Sequence, residues 1–398
     1  MRYSVFASFE TATGQPRPIF ENPTMVTPAP YSPGLEGVVA GPTAISSVED
    51  GLRYRGYAVG DLCTRATFDE VAYLLIHGEL PKAKELQGFT ERVAMARRLP
   101  EPVKQLFPAM PKWSVPLDLL RTAVSALAHF DQDAADNSHE ANVRKAERLL
   151  AQMPVIIADQ HRVNAGLQPI AARQDLNHSA NFLWMLRGVE PTAEDVKSLD
   201  VSLILYAEHE FNASTFAARV IVSTLSDLHA AVVGAIGALK GPLHGGANEK
   251  VMDVLKSAGG PGTAEAWAHA ALARKERIMG FGHRVYKSGD VRAAILKEYC
   301  VARAVTPELR DWETTAEIIE GIMASQKGMY PNLDWPAGRL YHAMDLEIPL
   351  YTPMFAMSRI AGWAAHVIEQ LDNNRLIRPR ALYTGAPARD VVPLADRG

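Results

Sequence analysis

From Thr67 to Leu371 the sequence offers hardly any pattern but that of helices, and this confines the fold more than any single motif. Thr67-Phe-Asp-Glu70 has the form of a capping box, the apolar run behind it stops at Gly78, and Pro81 lies beyond. Apolar residues then recur at helical spacing over about 82–98, 117–130, 140–164, 177–187, 192–212 and 215–239. The period continues over about 248–258, 263–276, 290–304, 313–326, 336–345 and 352–371. Polar breaks such as Asp131-Gln-Asp-Ala-Ala-Asp-Asn137 separate the segments. Only residues 34–57, where β-branched residues alternate with turn formers, read as short strands or hairpins. Many helices on short connections and few strands predict an all-α architecture.

Glycine-rich breaks near 259–262 and 280–289, with the loop at 328–335, bracket about one hundred residues. They suggest a smaller helical domain, 250–345, inserted into a larger one made of 34–249 and 346–398. Residues 1–33 carry six prolines and no periodic apolar pattern, as an extended N-terminal arm would. The segment 215–239 is built largely of Ala, Gly, Ser and Val. Small residues let helices approach closely, so this stretch is expected in a protomer or dimer core.

Of the 398 residues 47% are apolar and 22% charged, ordinary values for a globular enzyme. A formal net charge of -4 lacks the basic field that nucleic acid or an anionic membrane surface would attract. The two cysteines, Cys63 and Cys300, form no Cys-x-x-Cys motif, which argues against a disulfide framework or a thiolate zinc site. Met1 to Glu10 lack the apolar core of a signal peptide, and the least polar run, Ala230 to Leu239, is about half the length that spans a bilayer. A cytoplasmic protein is expected.

Chemistry-bearing residues gather in four islands. Tyr206-Ala-Glu-His209-Glu-Phe-Asn212-Ala-Ser214-Thr is the first, and Gly241-Pro-Leu-His244-Gly-Gly-Ala-Asn248-Glu249 the second. Met279-Gly-Phe-Gly-His283-Arg284-Val-Tyr-Lys287 and Tyr330-Pro-Asn332-Leu-Asp334-Trp follow. Each histidine sits among small residues that let backbone and ligand come close. Imidazoles and a carboxylate could bind a metal, but His-Glu-x-x-His and His-x-His spacings are absent. Gly280-x-Gly282 lacks the third glycine and preceding strand of a dinucleotide site, and no phosphate-binding Gly-x-x-x-x-Gly-Lys occurs. What remains is acid–base work by His and Asp beside the arginines Arg284, Arg292, Arg359 and Arg378, whose planar forks suit carboxylates. The other nine histidines lie in no such island and read as surface or satisfied helix positions.

Together with Phe355-Ala-Met-Ser-Arg359-Ile-Ala-Gly-Trp, these motifs resemble the citrate synthase family, which includes 2-methylcitrate synthase. The resemblance runs from about Gly34 to the end of the chain. It implies a helical homodimer with a large and a small domain per subunit, closing on oxaloacetate before an acyl-CoA reacts. In that resemblance Asp334 matches the base that takes the acyl α-proton, and His244 the donor to the thioester oxygen. His283 matches the acid that polarises the oxaloacetate carbonyl. His209, Arg292 and Arg359 match oxaloacetate ligands, Asn212 and Ser214 line the site, and Arg378 reaches it from the partner subunit. Arg284 and Lys287 match cationic contacts to coenzyme A. The acyl-CoA enters as a substrate, and neither metal nor resident cofactor is implied.

Three features depart from the family pattern: Asp290-Val-Arg292 in place of Asp-Pro-Arg, Trp335 after Asp334, and Tyr206 where many citrate synthases have histidine. Tyr206 is associated more with methylcitrate-type sequences. Acetyl-CoA and propionyl-CoA differ by one methylene, worth only about 1–3 kcal/mol in an apolar pocket. The sequence therefore leaves citrate synthase, 2-methylcitrate synthase and a bifunctional enzyme open. A non-catalytic paralogue that binds CoA or carboxylates is a further alternative.

Overall fold

A computed structural model of the chain describes residues 31–49 and 51–397, so most of the expected N-terminal arm lies outside the described residues. Two compact units are distinguished, Pro42–Pro379 and a second made of Met1–Gly41 with Arg380–Gly398. The described parts of the second unit are irregular apart from two 3₁₀ turns, Pro33–Leu35 and Leu394–Asp396.

The larger unit opens with three two-residue strands, β1 (Ser46–Ser47), β2 (Arg53–Tyr54) and β3 (Tyr57–Ala58). They pair antiparallel in the order β1-β2-β3, with Ser46 opposite Tyr54 and Tyr54 opposite Tyr57. Among the described residues every later element of regular structure is a helix, apart from an isolated bridge between Phe281 and Pro331. Helix α1 (Val59–Arg65) leads into α2 (Phe68–His77), whose capping box forms as expected: Thr67 N–H donates to Glu70 at 2.7 Å and Gly78 ends the helix in the left-handed region. There follow α3 (Ala83–Ala96), the short α4 (Glu101–Lys104) and α5 (Leu106–Ala109), α6 (Pro116–Leu127) and the long α7 (His139–Asn164). Next come α8 (His178–Arg187), α9 (Ala193–Tyr206), α10 (Ala213–Val222), α11 (Leu228–Leu239) and α12 (Ala247–Ala258). The last are α13 (Pro261–Ala273), α14 (Val291–Arg303), α15 (Pro307–Lys327), α16 (Asp334–Ala343) and α17 (Tyr351–Asp372).

Two expected helices are cut short, and both breaks matter. The segment 215–239 is two helices, because Leu225 takes a left-handed φ of 66° and the Asp227 side chain accepts the Ala230 N–H at 2.9 Å, capping a new start. The segment 192–212 stops at Tyr206, which leaves 207–212 outside any helix. Tyr54 of β2 donates its hydroxyl to the carbonyls of Ile204 and Glu208, each at 3.0 Å, and Asn212 caps α10. Helix α17 is buried on nearly every side and packs against α2, α7, α9, α10 and α11. It is the central element of this unit and carries Arg359.

Candidate active site

The second island is a turn, Gly241–Gly246, that delivers His244 to the N-terminal end of α10. There the Ser214 backbone N–H donates to His244 Nε2 at 3.3 Å, and the Ser214 hydroxyl lies 2.8 Å from the same nitrogen. Nε2 is thus an acceptor, which assigns the ring proton to Nδ1. Burial, reinforced by the Arg359 charge, pushes the His244 pKa down to about 3, so this ring is a neutral donor at physiological pH. Asn212 aligns Ser214: its side chain accepts the Thr215 N–H at 3.1 Å and the Ser214 hydroxyl at 2.8 Å. The Asn212 side chain is therefore engaged inside the chain, as a cap.

The third and fourth islands are stitched to each other. Gly282 N–H donates to Tyr330 O and Asn332 N–H to Gly280 O, both at 2.9 Å, around a bridge between Phe281 and Pro331. Gly280 has a φ of 89°, and a Cβ there would meet the Trp335 ring at 2.7 Å, so only glycine permits this approach. The stitching brings His283 and Asp334 to one place although fifty residues separate them. His283 Nδ1 accepts the backbone N–H groups of Val285 (3.1 Å) and Tyr286 (3.3 Å); these two bonds, shorter than the 3.5 Å contact of Nε2 with the Arg292 Nη2 donor, assign the ring proton to Nε2. Burial and then Arg292 push its pKa down to about 4.

Asp334 opens α16, and its Oδ1 accepts the Tyr206 hydroxyl at 2.8 Å. Burial lifts its pKa to about 6, against the pull of Tyr206 and Arg292, so the carboxylate is a stronger base than an exposed one while still ionised at neutral pH. Tyr206 packs on Phe355 with ring centroids 4.3 Å apart, and Phe355 faces His244 at 6.0 Å. These two aromatic rings join the base to the donor.

Two buried guanidiniums complete the site. Arg292 is held bidentately by Asp290, at 3.0 and 2.8 Å, so the cap of α14 also orients the arginine. Arg359, 1% exposed, donates Nε to Tyr206 O at 2.6 Å and lies over the Phe355 ring, while its Nη1 has no partner. A buried donor left unpaired costs free energy unless something fills it. His209 lies edge-on to His283 with centroids 4.9 Å apart, and its Nε2 is 3.0 Å from the Tyr286 hydroxyl. Burial, then the charge of Arg292, drives the His209 pKa well below the ordinary value. The arrangement offers two neutral N–H donors, a poised carboxylate and open cationic edges for an anion.

His209, His244, His283, Arg292, Arg359 and Asp334 are thus linked through shared neighbours, as their order in the sequence suggested. Arg284, Lys287 and Arg378 are exposed and make no side-chain hydrogen bond or ion pair among the described residues. Sequence reasoning quoted Tyr286 inside a motif without giving it a role. Yet its ring stacks on His283 at 4.7 Å and faces the Arg292 guanidinium at 5.8 Å. Tyr206 stood out only as a departure, and Glu208 was not singled out at all. Glu208 stands between Ala207 and the polar pair His209-Glu210, and its burial is a property of the fold that no local signal carries. Among the described residues no group of three His, Cys, Asp or Glu is placed to hold a metal ion.

Known proteins resemble this chain over most of its length. The family description "Citrate synthase, C-terminal domain" matches residues 34–380. The chain is 46% identical over 366 residues to citrate synthase 2 of Bacillus subtilis, covering 92% of this chain and 98% of the relative. It is 47% identical over 363 residues to 2-methylcitrate synthase of Mycobacterium tuberculosis, covering 90% and 92%. Among solved structures, a ternary complex of carboxymethyl coenzyme A and oxaloacetate with citrate synthase from Thermoplasma acidophilum superimposes with a TM-score of 0.88. That match has 34% identity and covers 92% of this chain and 100% of the other. Citrate synthase of Thermotoga maritima gives a TM-score of 0.83 at 38% identity, covering 92% and 99%.

Proposed function

The chain belongs to the citrate synthase family, and on that premise we propose that it condenses acetyl-CoA with oxaloacetate and hydrolyses the product to citrate and CoA. It is an acyl-CoA:oxaloacetate C-acyltransferase of the citrate synthase type. The observation that carries the assignment of roles is the buried Arg359 with a bare Nη1, set beside a carboxylate whose pKa is lifted to about 6. The first calls for an anionic substrate, and the second supplies a base for a weak carbon acid.

Asp334 takes a proton from the acyl α-carbon while His244 donates Nδ1–H to the thioester oxygen, so that an enol forms rather than a free enolate. A thioester α-proton is too weakly acidic for a carboxylate without such help at the oxygen. The enol carbon then bonds to the carbonyl carbon of oxaloacetate. His283 donates Nε2–H to the oxygen that becomes the hydroxyl, and the enol O–H proton returns to His244 Nδ1 as the thioester carbonyl re-forms. Water then cleaves the new thioester. Arg292, Arg359 and His209 hold the oxaloacetate carboxylates, while Asn212 acts through Ser214 to align His244. Arg284 and Lys287 meet the phosphates of CoA, with which exposed cations on a loop are compatible. All the chemical steps use side chains of the protein.

The domain division proposed for this reaction sets 34–249 and 346–398 against 250–345, closing around oxaloacetate. The functional unit is a homodimer in the cytoplasm, with the exposed Arg378 entering the partner's site. No helix among the described residues is long and apolar enough to cross a membrane.

A second reading, 2-methylcitrate synthase using propionyl-CoA, rests on Tyr206, which stands where many citrate synthases have histidine and donates its hydroxyl to Asp334 at 2.8 Å. The deciding experiment measures thiol release from acetyl-CoA and from propionyl-CoA, each with oxaloacetate. A kcat/KM higher for acetyl-CoA is expected. The reverse order makes the protein a methylcitrate synthase, comparable values make it bifunctional, and no release with either makes it a non-catalytic paralogue.

A further inference from the structure

Trp335 follows the base Asp334 directly, departs from the family pattern and has no part in the steps above. It is wholly buried. The Asp334 carboxylate has one side-chain partner among the described residues, the Tyr206 hydroxyl on Oδ1. Where that carboxylate lies therefore depends on how the first turn of α16 is held, and Trp335 is the side chain that holds it.

Two sets of contacts fasten the indole. Its ring lies against the third island: Phe281 is tilted on it with centroids 4.6 Å apart, and Gly280 approaches it closely for want of a Cβ. Its Nε1–H donates to Glu320 Oε1 of α15 at 2.8 Å, and an indole nitrogen is a donor only, so the direction of this bond is fixed. Glu320 Oε2 accepts Lys297 Nζ–H at 2.8 Å, and Lys297 belongs to α14, the helix that carries Arg292. Arg339, one turn along α16, lies over the indole at 5.5 Å with its Nη1 3.5 Å from Glu320 Oε1. Buried ion sets often add nothing to stability over apolar residues of the same volume, so their use here calls for another reason.

Resting on the condensation reading above, we propose that Trp335 is a positioning residue for the base: its indole, fastened to Glu320, fixes the first turn of α16 so that the Asp334 carboxylate meets the acyl α-carbon. An apolar ring would fill the same space but could slide along α15. A hydrogen bond to a carboxylate that is itself tied to α14 allows one register. Displacing a reacting group by about 1 Å can cost roughly 10²-fold in rate. The oxaloacetate side of the site is held by other means, Arg359 on α17 and Arg292 by the bidentate Asp290.

Three variants test this. Glu320→Ala removes the acceptor yet leaves neither cation unpaired, since Lys297 keeps Glu317 at 3.3 Å and Arg339 keeps Glu313 at 2.8 Å. Glu320→Gln keeps a carbonyl oxygen for the indole, and Trp335→Phe removes the N–H. The measurements are kcat with the preferred acyl-CoA and with its α-deuterated form, the calorimetric Kd for oxaloacetate, and the thermal midpoint. Glu320→Ala and Trp335→Phe should each lower kcat by about tenfold and raise the deuterium isotope effect on it, because proton abstraction becomes the slow step. The Kd for oxaloacetate should stay within about twofold. Glu320→Gln should recover most of the rate, and combining Glu320→Ala with Trp335→Phe should slow the enzyme no further. The Glu320 pair carries the test should Trp335→Phe not fold. A lowered thermal midpoint with kcat and isotope effect unchanged, as a space-filling role would give, overturns the proposal. So does a Gln variant no faster than the Ala variant, which would place the effect in the charge and not in the indole bond. Wild type that releases no thiol from either acyl-CoA overturns the functional reading instead, and this inference with it.

Discussion

Asp334 must be ionised to accept a proton, yet an ordinary carboxylate is too weak a base for a thioester α-carbon. Burial raises its pKa to about 6, which strengthens the base and still leaves it ionised at neutral pH. The sign of the pH dependence follows. Below about pH 6 the carboxyl is protonated and idle, so kcat/KM should fall toward acid with a limb near that value. His244 and His283, at about 3 and 4, stay neutral through this range and contribute no limb there. Replacing Asp334 with Asn keeps the shape and removes the base, and turnover should drop roughly 10²–10⁴-fold while calorimetry still records oxaloacetate binding. A variant retaining half of wild-type turnover would remove Asp334 from this role. The residue itself was legible in the sequence. Its raised pKa was not, because that comes from burial by other segments, against the pull of Tyr206 and Arg292.

At the scale of elements, the site exists because helices stop where they do. Helix α9 ends at Tyr206, and residues 207–209 then cross α17 closely enough that a Cβ on Gly362 would lie 2.4 Å from Ala207 O and Glu208 Oε2. Backbone on one side and a buried carboxylate on the other cannot yield cheaply. Gly362→Ala is expected to destabilise the protein by about 1–3 kcal/mol, lowering the thermal midpoint, and to raise KM for oxaloacetate through displacement of His209. An unchanged midpoint and KM would mean that the crossing is looser than the structure describes. Helical period located most elements within a few residues, since each amphipathic face repeats locally. It ran through the breaks at 207–212 and 223–227, because what ends those helices is a hydroxyl from β2 and caps from Asn212 and Asp227.

At the scale of the whole molecule, Arg378 is exposed and unengaged, the condition expected of a residue that works in a neighbouring subunit. Arg378→Ala should weaken oxaloacetate binding without changing the oligomeric mass. Heterodimers of inactive Asp334→Asn and Arg378→Ala chains should regain part of the activity, since one site per dimer then holds both wild-type residues. Verified heterodimers without activity would place Arg378 outside the site. The oxaloacetate ligands come from both proposed domains, so oxaloacetate should favour the closed form and, by linkage, tighten CoA. Calorimetric titration of CoA with and without oxaloacetate should differ by roughly 5- to 150-fold. Equal affinities would deprive the division at residues 250 and 345 of a functional meaning.

Read alone, the sequence determined the all-helical class, the order of the four islands and the types of residue available for acid–base work on a carboxylate. Those properties are carried by local period, capping residues and short motifs, which need no partner to be recognised. Only the tertiary structure decided that Nδ1 of His244 and Nε2 of His283 carry the protons, that Arg359 keeps one nitrogen bare, and that Asn212 is a cap. It also decided that Tyr286 stands against His209 and His283, and that Glu208 is fastened by His366 and Ser46. Each of these depends on which atoms from distant segments meet, and hydrogen-bond partners and local dielectric are set by that meeting rather than by spacing along the chain.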